Sequence, residues 1–152
     1  MKKRFNWKIF LISFGIVILT ALIGSSVTST QGWYESIKPS ITPPNFVFPI
    51  AWTILFIMIA FSFYFSWTNA KKQKAKIISL FVINLILNAL WSILFFRMKK
   101  PAFAFVDIIL LWVSILTLII FTYKIDKKSS YLLMPYFLWV SFASYLNYLI
   151  AF

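Results

Sequence analysis

Five stretches of this 152-residue chain are long enough and apolar enough to cross a bilayer, and that constrains the fold more than anything else in it. They are residues 9–28, 47–68, 77–96, 102–123 and 131–152, each 20 to 22 residues long, and Asp107 is the only charged residue inside them. A helix rises about 1.5 Å per residue and the hydrocarbon core is about 30 Å thick, so each stretch matches one crossing. In lipid, backbone N–H and C=O groups must be satisfied within the segment, and an apolar run of this length does so as an α-helix. The expected fold is an all-α membrane protein, a five-transmembrane-helix bundle forming a single domain over residues 1–152. Composition agrees: 62% of residues are hydrophobic and 12% charged, against about 25% charged in soluble domains.

The residue types present exclude much chemistry. The chain has no His and no Cys, which removes disulfides, thiolate nucleophiles and the usual zinc and haem ligands. Its acids are Glu35, Asp107 and Asp126, too few and too scattered for a paired acid/base site or a calcium cage. The glycines Gly15, Gly24 and Gly32 make no phosphate-binding loop. No metal site is expected and no cofactor is required. The net charge of +12 reads as Lys and Arg flanking membrane ends, not as a nucleic-acid surface.

The distribution of those cations sets an expected orientation. Lys2, Lys3, Arg4 and Lys8, then Lys71, Lys72, Lys74 and Lys76, then Lys124, Lys127 and Lys128 share one side if all five segments span. Lys38, Arg97, Lys99 and Lys100 lie on the other. The richer side is expected to be cytoplasmic, with the N-terminus there and the first linker and C-terminus outside. A basic start followed by the apolar run 9–23 also resembles a signal peptide, with small residues at 25–29 for cleavage. That run is long for such a peptide, and its removal would leave a four-helix remnant.

Residues three or four apart share a helix face. Asn84, Asn88, Trp91, Ser92 and Phe95 form one stripe; Pro135, Trp139, Ala143 and Asn147 a second; Trp52, Phe56, Ile59 and Phe63 a third. Amide side chains are costly in lipid, so these faces are expected to point inward. They either line one cavity or form a helix interface joined by Asn hydrogen bonds. Thr20, Gly24 and Thr28 in the first span read as a small-residue face for close packing. Pro101 is expected at the first turn of span four, Ser129 and Ser130 as caps of span five, and Pro135 as the site of a bend. Asp107, as an ionisable residue inside a span, reads either as a functional group or as a carboxylate paired with a neighbouring helix or with Arg97. Trp7, Trp33 and Trp67 lie near span ends and suit an aromatic belt, while Trp112, in mid-span, reads as facing lipid. The first linker, with Lys38-Pro39 and Thr42-Pro43-Pro44, reads as an extended, stiff segment serving as a lid or as a connector.

Taken together, Trp33-Tyr34, Lys38-Pro39, Thr42-Pro43-Pro44, Val47-Phe48-Pro49, Trp52-Thr53, Asn88-Ala89-Leu90-Trp91-Ser92, Phe95-Phe96, Asp107, Pro135-Tyr136, Trp139, Phe142-Ala143 and Leu146-Asn147 resemble the TspO/MBR family. These are the tryptophan-rich sensory or translocator proteins, also called peripheral-type benzodiazepine receptors. The resemblance covers nearly the whole chain, and its blocks occur in the family's order. It implies a five-helix bundle, often a homodimer, with a pocket beneath the first linker that takes porphyrins and synthetic aromatic ligands. Mapped onto this sequence, Trp52, Phe56, Asn88, Trp91, Trp139, Ala143 and Asn147 would wall the pocket, and Trp33, Pro43, Pro44 and Phe48 would close it.

For bacterial members the resemblance implies binding of protoporphyrin IX and its light- and oxygen-dependent degradation, with Trp52 and Trp139 expected as the reacting residues. Indole faces suit a flat macrocycle, and Asn88 and Asn147 can offer it amide hydrogen bonds. The alternatives are a transporter of porphyrin or other hydrophobic ligands, and a porphyrin or stress sensor acting through a partner. Animal members carry a Tyr followed by Arg near the C-terminus, linked to sterol. Here Tyr148 is followed by Leu149, Ile150, Ala151 and Phe152, which puts sterol binding in doubt. Asn84 stands where many members have Gln. The short N-terminal segment suits a bacterial member, in the cell membrane.

Overall fold

The computed structural model describes residues 5–152; Lys2, Lys3 and Arg4 of the basic N-terminal cluster lie outside the described residues. Five long helices are each apolar enough to cross a membrane: α1 (Trp7–Val27), α3 (Val47–Asn69), α4 (Lys74–Ser92), α5 (Pro101–Tyr123) and α6 (Lys127–Ala151). A one-turn helix, α2 (Trp33–Ile37), interrupts the first linker, and the end of α4 widens into a π turn over Ile93–Arg97. The protein is a multi-pass membrane protein of the expected class.

Local chemistry accounts for the helix ends. Asn6 caps α1 by accepting a hydrogen bond from the Ile9 amide. Pro101 sits in the first turn of α5, where its missing N–H leaves nothing unpaired. The cap of α6 is Asp126, which accepts from the Ser129 amide and hydroxyl at 3.2 and 2.8 Å. The helix therefore starts four residues before the expected 131, with Ser129 and Ser130 inside it. Carboxylates are good N-caps because they satisfy orphan amides and favour the positive helix end. The helix then runs through Pro135 without ending.

The long helices close into a ring in the order α1, α3, α6, α5, α4 and back to α1, with the tightest packing between α5 and α6. The ring is solid at one end. Ile59, Phe63, Ile77, Phe81, Ile115, Leu118 and Leu133 are fully buried there, and Phe63 stacks on Phe81 at 4.5 Å. Ser62 and Ser130 donate across helices to the carbonyls of Ser129 and Ile119. Outside, Leu11, Leu22, Phe103, Val106 and Leu138 are exposed, as expected of a surface that meets acyl chains.

Two further sequence expectations are corrected. Trp112 does not simply face lipid: it is half-buried and donates its indole N–H to Ser141 Oγ at 2.8 Å. Its polar edge would be costly in hydrocarbon without that partner. Asp107 is buried but is not paired with Arg97; its Oδ2 has no hydrogen-bond partner, and the one ion pair among the described residues is Glu35–Lys38.

Candidate functional site

The other end of the ring is hollow. A cavity of about 340 Å³ lies beneath the first linker, between α1, α3, α4 and α6. Phe48, Pro49, Trp52 and Phe56 come from α3; Asn88, Trp91 and Ser92 from α4, with Phe95 and Phe96 from the π turn. Trp139, Ala143, Leu146, Asn147 and Ile150 come from α6, and Ala21, Gly24 and Ser25 from α1, with Thr28 just past its end. Its size lies within the range of small-molecule sites, and its mix of apolar walls with a few polar groups is typical of them.

The three inward stripes thus contribute to one cavity, and Asn84, Asn88 and Asn147 on them also join helices by hydrogen bonds, so the cavity and interface readings both hold in part. Phe48, Trp52, Phe56, Asn88, Trp91, Trp139, Ala143 and Asn147 are all in its wall, whereas Trp33, Pro43 and Pro44 are not. Trp33 stands one layer out, edge-on to Phe95 at 5.7 Å. The linker residues that do reach the cavity are Thr30, Tyr34 and Asn45.

The polar side chains form two separate devices. In the first, Trp91 donates its indole N–H to Asn147 Oδ1, and Asn147 Nδ2 donates to the Pro101 carbonyl, both at 2.9 Å. Asn147 therefore ties α4, α5 and α6 together and orients the Trp91 ring, which stacks on Phe95 at 5.1 Å. In the second, Asn88 Nδ2 donates to the Tyr136 hydroxyl at 2.9 Å, and that hydroxyl donates to Asn84 Oδ1 at 3.3 Å. Asn84 Nδ2 then donates to Ser114 Oγ at 2.7 Å. Asn88 spends its NH₂ on this chain, which leaves its carbonyl oxygen as an acceptor at the cavity wall.

The first linker lies over part of the mouth as a lid. Gly32 (φ 64°) makes the turn into α2, a backbone that side-chain-bearing residues avoid. Glu35 pairs with Lys38 at 2.6 Å and accepts from Asn45 Nδ2 at 3.1 Å; the same Nδ2 reaches the Thr30 carbonyl at 3.3 Å. These hydrogen bonds, from Lys38 first and Asn45 second, hold the Glu35 carboxyl below the usual glutamate range. Tyr34 plugs into the bundle against Phe96 at 5.6 Å and Phe95 at 6.1 Å, and its burial pushes the phenol pKa up. The linker is thus not wholly extended: one helical turn places Tyr34 inward, where the sequence emphasised Trp33 and the prolines.

The sequence profile of the TspO/MBR family matches residues 11–152. The chain belongs to the TspO/MBR family. It is similar to the tryptophan-rich protein TspO of Chlorobaculum tepidum, 41% identical over 141 residues, covering 90% of this chain and 89% of the relative. The tryptophan-rich protein TspO of Archaeoglobus fulgidus is 40% identical over 137 residues, covering 88% and 89%. The human translocator protein is 29% identical over 136 residues, covering 86% and 80%.

Sequence reasoning missed one wall of this TspO/MBR cavity. Gly24 and Thr28 suggested close packing of α1, yet both line the hollow. A Cβ added to Gly24 would meet Ser92 Oγ at 3.5 Å, an ordinary contact. The small residues let α1 pack near Ser92 of α4 and also leave space in the hollow. Phe95 was legible as part of the α4 stripe, but the π turn was not. There, Met98 N–H bonds back to the Ile93 carbonyl at 2.9 Å, and the helix closes with Lys99 in a left-handed conformation (φ 52°). The extra residue per turn brings both Phe95 and Phe96 to the cavity and to Tyr34, a common use of π turns at sites. No group of three metal-ligating side chains converges among the described residues.

Proposed function

We propose that this TspO/MBR protein binds a tetrapyrrole, protoporphyrin IX, in the cavity and promotes its light- and oxygen-dependent degradation. The observation that carries the reading is the placement of Trp52 and Trp139 in one cavity wall together with the free acceptor of Asn88. Aromatic faces hold a flat macrocycle, and Asn88 Oδ1 can accept from a pyrrole N–H. Asn147, already bonded on both sides, acts by fixing Trp91.

The chemistry needs no acid or base from the protein. The excited macrocycle takes an electron from an indole, and the reduced ring passes it to dioxygen, giving superoxide. The indole radical cation is restored by an electron from the ground-state ring, and the oxidised ring combines with superoxide. Dioxygen is the oxidant, the macrocycle is oxidised, and the tryptophan is regenerated. The solid far half of the bundle gives this cavity no visible exit across the membrane, which favours binding and reaction over transport. In this reading the N-terminus is cytoplasmic and the lid faces outward from a bacterial cell membrane, following the Lys/Arg bias.

The test is to illuminate the purified protein with protoporphyrin IX in air and follow its absorbance. Trp52→Phe together with Trp139→Phe is expected to lower the rate about 100-fold, a barrier change of about 2.7 kcal/mol, with binding retained. A double variant as fast as the parent refutes the role of these indoles.

A further inference from the structure

Trp139 borders two hollows. Its indole lines the cavity, and it also lines an open groove on the outside of the bundle, between α3 and α6. Ala51, Ile54, Pro135, Leu138 and Phe142 form the rest of the groove over Leu55, so its surface is apolar throughout. Ile54 is 53% exposed and Leu138 68%. In a membrane-spanning bundle, those side chains meet acyl chains. Trp139 is the one residue common to the two linings.

Trp139 is held less firmly than Trp91 and Trp112. Trp91 and Trp112 are each fixed by an indole hydrogen bond, to Asn147 and Ser141. Trp139 has no such bond; it rests between Phe48, a cavity residue, at 6.0 Å and Phe142, a groove residue, at 6.1 Å. The facing helix offers little resistance, since Ala51 carries only a methyl group. One turn earlier on α6, Pro135 lacks the N–H that would tie that turn to the preceding one. Meanwhile Tyr34 and the Glu35–Lys38–Asn45 cluster cover part of the mouth facing water, with Ser25 and Thr28 exposed at its rim.

We infer that flat lipophilic ligands enter and leave the cavity sideways, from the bilayer through the α3–α6 seam, with the Trp139 ring as the door. This rests on the cavity being the ligand site. The groove's occupant is the ligand in transit, which partitions into the same acyl-chain layer that the groove faces. Because the groove is a passage and not part of the bound-state site, filling it changes the rates and leaves the equilibrium alone.

The experiment uses the full chain in phosphatidylcholine vesicles with protoporphyrin IX as the probe. Tryptophan quenching gives the Kd, and stopped-flow mixing and displacement give the two rates. Ala51→Phe and Leu138→Trp each fill the groove, and neither residue lines the cavity. Each is expected to slow association and dissociation together by about ten-fold, with Kd changed less than about two-fold. Leu138 lies on the outer surface, so its variant remains informative if Ala51→Phe fails to fold. Rates equal to the parent in a folded variant overturn the door, as does a weakened Kd with unchanged association. Failure of the parent protein to bind the probe saturably is a different result: it refutes the cavity as the ligand site.

Discussion

Replacing Tyr136 by Phe removes one oxygen atom and nothing else, at a side chain that is fully buried. That oxygen accepts from Asn88 and donates to Asn84, so two bonds between α4 and α6 vanish together. Interhelical hydrogen bonds in membranes average about 0.6 kcal/mol each, with a maximum near 1.7. The two orphaned amides add to the loss, because no water replaces the hydroxyl in a packed interior. The expected destabilisation is about 1–2 kcal/mol, a factor of roughly 5 to 30 in the folding equilibrium. It can be read from reversible unfolding in mixed micelles of increasing sodium dodecyl sulfate content. Tyr145→Phe is the control: its ring is exposed on the outer surface, and its loss should stay within about 0.5 kcal/mol. Freed from Tyr136, the Asn88 amide can rotate, so protoporphyrin affinity should also fall. A Tyr136→Phe protein as stable as the control, with unchanged affinity, would refute the view that this chain holds the cavity wall in place.

Two other outcomes follow from the cavity and its lid. Gly24→Ala should fold and bind normally, because the added Cβ meets Ser92 Oγ at 3.5 Å, whereas Gly24→Phe should occupy the cavity and abolish saturable protoporphyrin binding in a titration. The Glu35 carboxyl is held below its ordinary range by Lys38 and Asn45, so its contribution is present above the unfolded pKa, about 4.3, and is lost as pH falls through the lower folded value. Proteolysis of the linker should therefore accelerate at acid pH in the parent but not in Glu35→Gln, and an equal acid response in both would remove Glu35 as the tie.

The five spans were legible because a bilayer imposes one length and one composition on anything that crosses it. The inward faces were legible because amide side chains are costly to leave unpartnered in hydrocarbon. What escaped was decided by neighbours. Asp126 moved the start of α6 because a capping carboxylate outweighed a few polar residues after it. Trp112 seemed free for lipid until α6 supplied Ser141. The stripe Thr20, Gly24, Thr28 has one appearance whether the opposite helix is touching or set back, so spacing did not distinguish a seam from a cavity wall. The π turn has no residue pattern of its own, and Asp107 has no partner that sequence distance would have revealed.

The bundle is solid at one end and hollow at the other, and this has a consequence for how such a protein can change over generations. The fully buried residues around Phe63, Phe81 and Leu133 do not line the cavity, although Trp52, Phe56, Trp91, Trp139 and Ala143 of its wall pack against them, and its small residues Ala21, Gly24 and Ser25 stand outside that core. Substitutions among the cavity's small residues can therefore be sampled without first risking the chain's capacity to fold. A protein divided in this way can acquire a new guest while remaining, to the membrane around it, the same object.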